Sequence, residues 1–341
     1  MKILYSVQAT GNGHISRALQ LTPYLRELGQ VDIFLSGSNY QLETTLPIKY
    51  RSKGLSLYTN SCGQMDYLKT VKNIRLAGIR SEARSLPVEK YDLIINDFES
   101  ITSLACKWKG VPSIHLGHQA SFISPLTPRP DKRSIIGEFV LKNYATATHN
   151  IGLHFRRYAD FIFPPIIKQT FLNAQPEDLG HVTVYLPSYD FDCLKTIFES
   201  HQERHFHWFL PGIFSVYTSK NVTYFPIDTK YFNQSLINCH ALVTGGGFET
   251  PAEGLYMKKK VLSIPISGHY EQQSNAKALS DLGIKTLKIL NKTTQNEFFR
   301  WLEAPAIPCE MPAADIPQIL QYMLNISTST SMYSDYGVQH I

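Results

Sequence analysis

A glycine-rich loop near the N-terminus ends in a histidine, directly after the predicted strand Ile3–Val7. Its residues are Gly11, Asn12, Gly13 and His14. Histidine is the side chain best suited to accept a proton near neutral pH. Ser16 stands where a dinucleotide-binding GxGxxG pattern needs its third glycine, so nicotinamide and flavin cofactors are disfavoured. We expect His14 to serve as a general base, and a histidine that only caps the helix start is the alternative.

A carboxylate, Asp97, follows the predicted strand Leu93–Asn96. The carboxyl ends of parallel strands meet at one edge of a sheet, so we expect Asp97 and His14 on the same edge. Asp97 could be the base itself, or it could pair with His14 and stabilise its charged form. The sequence leaves both roles open, together with a plain helix cap.

Three consecutive glycines follow the predicted strand Ala241–Thr244. Their amides and the start of the next helix would form a cradle for a diphosphate. No Lys-Ser/Thr pair follows, so the loop is not a Walker P-loop. Glu253, about one helical turn further on, could accept two ribose hydroxyls, and Glu249 could simply complement the helix dipole. The residues of this loop and helix start are Gly245, Gly246, Gly247, Phe248, Glu249 and Glu253.

Three further strand ends carry polar side chains. After Val261–Pro265, the side chains of His269, Glu271 and Gln272 could read sugar hydroxyls, and a solvated helix cap is the alternative. In the loop after Val182–Leu186, Ser188 is the expected phosphate neighbour.

The same loop contains a DxD pattern, Asp190 to Asp192, which opens a predicted helix and therefore reads as a cap. His118 and Gln119 lie past the strand that ends at Leu116 and are expected on the acceptor side, together with Gly11, Asn12 and Gly13. His115 and His118 have no third ligand nearby, so no metal site is predicted.

These loops together resemble the two-domain glycosyltransferases of the GT-B architecture. The GxGH loop, the GGG-x5-E loop and the HxEQQxNA segment carry the likeness, which is closest to family 28-like enzymes, such as the one that glycosylates the lipid-linked peptidoglycan precursor. The resemblance implies a nucleotide-diphosphate sugar, usually a UDP-sugar, in the C-terminal domain. It places the glycines on the diphosphate, Glu253 on the ribose, and Glu271 and Gln272 on the sugar. Phe225 and Ile227 would lie beside the base.

The resemblance implies inverting transfer to a small-molecule, lipid-linked or glycan acceptor held by the N-terminal domain. Backbone amides and a helix dipole would take up the charge of the leaving group, so neither a metal nor a cofactor is expected. Ala252 stands where relatives often carry Ser, which removes one hydroxyl contact to the donor. A UDP-sugar epimerase of the same fold and a non-catalytic nucleotide-sugar-binding protein are the alternatives.

Strands alternate with amphipathic helices along all 341 residues, which predicts an α/β protein with two doubly wound, Rossmann-like domains across a cleft. The pair Pro164-Pro165 separates the two series. We therefore expect an acceptor-binding domain over residues 1–165 and a nucleotide-sugar-binding domain over 166–326. A flexible tail is expected over 327–341.

The net charge of +5 conceals a basic first half, in which residues 1–165 carry 20 Lys and Arg against 12 Asp and Glu. A basic amphipathic stretch there could contact an anionic membrane or a phosphate-bearing acceptor, and a solvated helix face is the alternative. Its basic residues are Lys69, Lys72, Arg75, Arg80 and Arg84. Aromatic residues are not interleaved with them, so nucleic acid is not expected.

The chain also lacks a signal-peptide pattern and an apolar run long enough to span a bilayer. Its five cysteines are scattered and read as reduced thiols. We therefore expect a cytoplasmic protein, and the sequence leaves open whether it is also peripheral at the inner face of the membrane.

Overall fold

The computed structural model describes residues 1–9, 11–37, 45–54 and 76–335. In these ranges the chain forms two seven-stranded sheets covered by helices. The predicted α/β class with two doubly wound sheets is confirmed.

The first sheet is entirely parallel, with strand order β3-β2-β1-β4-β5-β6-β7. Alternate residues of β1 face opposite sides: Ile3 and Tyr5 enter one buried cluster, and Leu4 enters another. Both faces of the sheet are therefore covered, as parallel sheets require. Its strands are β1 (Lys2–Gln8), β2 (Gln30–Ser36), β3 (Ile48–Ser52), β4 (Leu93–Asp97), β5 (Ile114–Gly117), β6 (His149–Leu153) and β7 (Ile162–Phe163).

Helices connect these strands, and the loops between strand ends and helix starts face the cleft. The helix Ser100–Lys109 is capped by the preceding residue, Glu99. Both carboxylate oxygens of Glu99 accept hydrogen bonds from backbone amides in the first turn of that helix. The helices are α1 (Asn12–Leu28), α2 (Leu76–Ser85), α3 (Ser100–Lys109) and α4 (Ile135–Asn143), with short 3-10 turns at Val88–Lys90 and Gln119–Ile123.

The second sheet has the order β10-β11-β9-β8-β12-β13-β14, and only the β10–β11 pair is antiparallel. Its buried side chains also divide between two faces, because Leu242 packs toward one cluster while Ala241 and Val243 pack toward another. Its strands are β8 (Val182–Tyr185), β9 (Phe206–Leu210), β10 (Tyr217–Ser219), β11 (Val222–Pro226), β12 (Ala241–Gly245), β13 (Lys260–Ile264) and β14 (Lys285–Thr286).

The helices of the second half follow the same alternation. They are α5 (Gln169–Leu172), α6 (Phe191–Ser200), α7 (Thr229–Asn238), α8 (Glu249–Tyr256), α9 (Tyr270–Asp281), α10 (Gln295–Glu303) and α11 (Ile316–Asp335).

Sequence reasoning missed the strands β3, β6 and β10. Strand β6 lies between β5 and β7, yet it contains a glycine, Gly152, which weakens strand patterns. A Cβ at Gly152 would come within 3.0 Å of Ser121 and Ile162, so only glycine fits between the strand and the turn packed on it.

Sequence reasoning also missed the last helix, α11, which runs from Ile316 to Asp335. The flexible tail expected over 327–341 stays a prediction, and residues 336–341 lie outside the described residues. The helix also returns to the first sheet, where the ring of Tyr322 packs 5.3 Å from that of Phe163 and Met323 joins the buried cluster. The Ser/Thr-rich sequence after Asn325 concealed the helix because its anchoring apolar residues come earlier.

We predict that Met323→Ala lowers the free energy of unfolding by about 2–5 kcal/mol, because it leaves a cavity where α11 meets the first sheet. Urea denaturation followed by circular dichroism measures this change. Gln318→Ala, on the exposed side of the same helix, is the control and should have little effect. Equal stability of the two variants would contradict the anchoring role of Met323.

Candidate active site

His14 and Asp97 form a hydrogen-bonded pair at the carboxyl edge of the first sheet. Strands β1 and β4 are neighbours, with Val7 opposite Asp97, so the first turn of α1 lies directly above the end of β4. The His14 Nδ1 atom lies 2.8 Å from Asp97 Oδ1. The carboxylate is fully buried, whereas 13% of the His14 side chain is exposed. The predicted placement of both residues on one sheet edge is therefore observed.

Arg17, which sequence reasoning missed, completes this cluster. Its Nε donates to Asp97 Oδ2 at 2.8 Å and its Nη2 donates to Asp97 Oδ1 at 2.9 Å. Its Nη1 donates at 2.5 Å to Glu249 Oε1, which belongs to the second half of the chain. The available signal was the i,i+3 spacing from His14, which places both side chains on one helix face.

The charges of this cluster govern its proton affinities. Burial alone would raise the pKa of Asp97, but the charges of Arg17 and His14 hold it well below its usual range. Burial disfavours the charged form of His14, yet the adjacent Asp97 more than compensates, so the pKa of His14 is raised above its ordinary value. The pair is therefore arranged to stabilise an imidazolium.

The triple-glycine loop follows β12 and faces the histidine loop across the cleft. A Cβ on Gly13 would lie 2.5 Å from Glu249 Oε2, so the two predicted loops meet face to face. Asn12 extends the contact, because its Nδ2 donates to the Tyr185 hydroxyl at 3.4 Å. Gly11 precedes α1 in an extended conformation.

One amide of the glycine loop is already engaged within the protein. The Gly246 amide donates to Gln272 Oε1 at 3.3 Å, and the Ile266 amide donates to the same oxygen at 2.9 Å. Gln272 thus ties two loops of the cleft together, while its predicted contact with the donor sugar stays a prediction. Gly247 is exposed at the start of α8.

A pocket beside this loop is lined by Ile227 and Glu253, two of the residues expected around the nucleoside, whereas Phe225 does not line it. Glu253 is buried in the lining of this pocket, and its Oε1 atom lies 3.1 Å from Lys168 Nζ. Burial raises the pKa of Glu253, and Lys168 partly opposes this shift. Phe225 stacks behind the pocket on Phe209 at 4.9 Å. The wall consists of Tyr185, Phe209, Ile227, Phe232, Asn233 and Glu253.

The predicted acceptor residues His118 and Gln119 contact the second half of the chain. His118 is buried, with Nδ1 3.0 Å from the Leu153 carbonyl and Nε2 2.7 Å from Asn275 Oδ1. Its ring stacks on Phe248 at 4.0 Å, and Gln119 Nε2 donates to Glu271 Oε1 at 3.0 Å. Both ring nitrogens of His118 are thus engaged, and its acceptor role stays a prediction.

The remaining predicted positions lie at helix starts. His269 caps α9, because its Nδ1 accepts from the Gln272 amide at 3.5 Å. Asp190 caps α6 through the Cys193 amide at 2.8 Å, which confirms the capping interpretation of the DxD pattern. Ser188 is half-buried in the loop before it, and its phosphate contact stays a prediction. Within the described ranges, no three His, Cys, Asp or Glu side chains come together as a metal site.

Comparison with known proteins adds a family and a fold. The family described as Glycosyl transferase family 1 matches residues 1–302. No curated protein matches the chain.

Three solved structures share the fold at low sequence identity. The Arabidopsis thaliana protein UGT89C1 complexed with UDP has 13% identity and a TM-score of 0.56, over 95% of this chain and 94% of that one. Spinosyn forosaminyltransferase SpnP has 13% identity and a TM-score of 0.57, over 95% of each chain. Glycosyltransferase VinC in complex with DTDP has 12% identity and a TM-score of 0.54, over 96% of this chain and all of that one. The architecture is therefore GT-B.

We predict that Gly246→Ala destabilises the protein by about 1–3 kcal/mol, because its Cβ would lie 2.7 Å from the Gln272 backbone oxygen and Cβ. Gly247→Ala is the matched control, since a Cβ there meets nothing within 4 Å. Urea unfolding midpoints of the two variants measure the difference. Equal midpoints would contradict the close approach of the triple-glycine loop to Gln272.

Proposed function

The chain belongs to glycosyl transferase family 1, and from this premise we propose that it transfers a sugar from a nucleotide-diphosphate sugar to an acceptor hydroxyl with inversion. The observation that carries the proposal is the 2.8 Å contact between His14 Nδ1 and Asp97 Oδ1, opposite the triple-glycine loop. A histidine oriented by a buried carboxylate is a general base suited to a hydroxyl group.

His14 is the proposed base, and Asp97 is its partner. Asp97 is fully buried, and its two oxygens accept hydrogen bonds from Arg17 while one of them also contacts His14. An acceptor hydroxyl therefore has no approach to Asp97. His14 keeps an exposed portion, and the Asp97 charge stabilises the imidazolium formed when the hydroxyl loses its proton.

The proposed donor is a UDP-sugar held by the second half of the chain. Glu253 would accept the ribose hydroxyls, Ile227 would lie beside the base, and the Gly247 amide with the start of α8 would contact the diphosphate. The solved complexes of UGT89C1 with UDP and of VinC with DTDP support this class of donor. Glu271 is the proposed contact to the sugar.

The leaving nucleotide diphosphate accumulates negative charge as the glycosidic bond to it breaks. In our proposal the loop amides and the α8 dipole stabilise that charge, so transfer needs neither a metal ion nor a cofactor. Activity that survives saturating EDTA would be consistent with this mechanism, and activity restored only by a divalent cation would contradict it.

We predict that His14→Gln lowers sugar transfer by about 10²–10⁴-fold while UDP still raises the melting temperature, because binding to the native state stabilises it. Release of UDP from radiolabelled UDP-sugars, in the presence of an acceptor panel, measures transfer. His240→Gln, a histidine paired with Asp178 away from the cleft, is the control and should keep full activity.

Two outcomes would replace the proposal. Conversion of the donor sugar without any acceptor would indicate an epimerase. A wild-type protein that binds UDP-sugars with no turnover would be a binding protein.

A membrane surface is the proposed location of the acceptor. The family match is to glycosyl transferase family 1, so the closer likeness to family 28-like enzymes and their lipid-linked acceptor stays a prediction. Lys69, Lys72 and Arg75 lie outside the described residues. Arg80 and Arg84 are exposed on α2, as the basic-face prediction requires. Among the described residues no helix is long and apolar enough to cross a bilayer.

Helix α4 provides a second surface for such docking. Ile135, Ile136 and Phe139 are 88%, 62% and 65% exposed, and the exposed cations Lys132 and Arg133 precede them. Apolar side chains beside cations are suited to the interface of an anionic bilayer. The helix also contacts the donor side, because the Tyr270 hydroxyl donates to Glu138 Oε1 at 2.7 Å.

We predict that the double variant Ile135→Ser/Phe139→Ser loses most binding to phosphatidylglycerol-containing vesicles in a flotation assay. The control, Phe214→Ser, removes an equally exposed side chain from the second half and should bind like wild type. Absence of wild-type binding to these vesicles, or unchanged binding by the double variant, would refute the membrane surface without affecting the proposed chemistry.

A further inference from the structure

Arg17 is a buried cation that the proposed mechanism does not use. Only 2% of its side chain is exposed, and it lies between the dyad and the second half of the chain. Three of its nitrogens donate to two carboxylates, Asp97 and Glu249. Such a residue could serve only to neutralise Asp97. Arg17 also lies beside His14, so its charge acts on the proton affinity of the histidine ring.

Arg17 and Asp97 contact the same nitrogen of His14. Arg17 Nη2 lies 3.0 Å from His14 Nδ1, and Asp97 Oδ1 lies 2.8 Å from it. If Nδ1 carries the proton, it donates to Asp97 and the guanidinium opposes the charged ring. If Nδ1 is unprotonated, it accepts from Arg17 and the proton of the neutral ring lies on Nε2. In that tautomer Nε2 has no free lone pair to take the proton from the hydroxyl of the acceptor substrate. Whether Nδ1 is protonated or not, Arg17 therefore makes His14 a weaker base than it would be without this cation.

Glu249 offsets this effect from across the cleft. Its Oε1 accepts from Arg17 Nη1 at 2.5 Å, and the carboxylate packs against Gly13, which has no side chain to exclude it. Among the influences on the pKa of His14, the Arg17 charge lowers it and the Glu249 charge raises it. The Arg17–Glu249 pair joins the two halves of the chain, so it requires them to be together at this edge.

We propose that Arg17 is a positioning residue that sets how readily His14 takes up a proton, and that Glu249 couples this setting to closure of the cleft. With Glu249 in place, the charge of Arg17 is partly offset, so Arg17 opposes the protonation of His14 less strongly. With the halves apart, the uncompensated guanidinium holds His14 in its weakly basic form. The consequence for transfer rests on the proposed role of His14, whereas the proton affinity of the ring does not.

Within the part of the chain that the structure describes, the other titratable groups that face His14 carry no charge near neutral pH. Tyr5, on β1, is buried, and burial raises its pKa well above the ordinary value. Burial lowers the pKa of His115, on β5, to about 4. The charges that act on His14 are therefore those of Asp97, Arg17 and Glu249.

A pH titration of the intact protein, with ¹⁵N-labelled histidine and NMR detection, tests the proposal without any substrate. The His14 resonances are assigned by their loss in His14→Gln. We expect Glu249→Gln to lower the pKa of His14 and Arg17→Met to raise it, each by about one unit. A merely structural role would not move the pKa in opposite directions.

Two further variants complete the design. Glu138→Gln alters another contact between the halves, the one with Tyr270, and should leave the pKa of His14 unchanged. Arg17→Lys keeps the charge and should stay within a few tenths of a unit of wild type. Should Arg17→Met fail to fold, because it leaves Asp97 buried without its main partner, the Glu249→Gln and Arg17→Lys titrations decide alone.

Shifts in the same direction, or a Glu249→Gln shift below about 0.3 units, would overturn the proposal. The expected shifts together with full transfer by His14→Gln would uphold the role of Arg17 and reject His14 as the base. The two proposals therefore fail separately.

Discussion

The cleft depends on the burial of one carboxylate. Asp97 has no contact with solvent, and an ionised group in that environment needs opposite charges and hydrogen bonds to remain ionised. Arg17 donates to both of its oxygens and His14 lies against one of them. The carboxylate in turn fixes the orientation of the histidine ring. Its hydrogen bonds with Arg17 and His14 therefore determine how this buried charge is accommodated and how the proposed base is oriented.

Close approach of the two halves is a second requirement, and glycine makes it possible. Gly13 leaves space for the Glu249 carboxylate, and Gly246 leaves space for Gln272. Around these points the halves are joined by the stack of His118 on Phe248 and by the hydrogen bond from Gln119 to Glu271. The two halves therefore share contacts beside the His14–Asp97 pair, and the proposed coupling of closure to the charge state of the site depends on them.

Much of the fold could be predicted from local patterns. Alternation of apolar strands with amphipathic helices indicated two parallel sheets, and the strand ends indicated which loops would meet at their edges. The strand ends predicted that His14 and Asp97 share one sheet edge, and the two residues meet because β1 and β4 are neighbours in the sheet. It failed at β6, where a glycine required by tight packing weakens the strand pattern, and at α11, whose Ser/Thr-rich end hides a helix.

The sequence by itself determined the alternation of strands and helices in two series, the glycine loops, and the placement of a histidine and a strand-end carboxylate on one sheet edge. Only the tertiary structure showed that Arg17 bridges Asp97 and Glu249, 80 and 232 residues away along the chain, and that Gln272 engages a loop amide. Hydrophobic periodicity and turn residues are local properties, so strands, helices and loops can be predicted from short segments of sequence. Contacts across the cleft depend on how the two sheets are placed relative to each other. No local sequence pattern encodes the distance between residues on the two sides of the cleft.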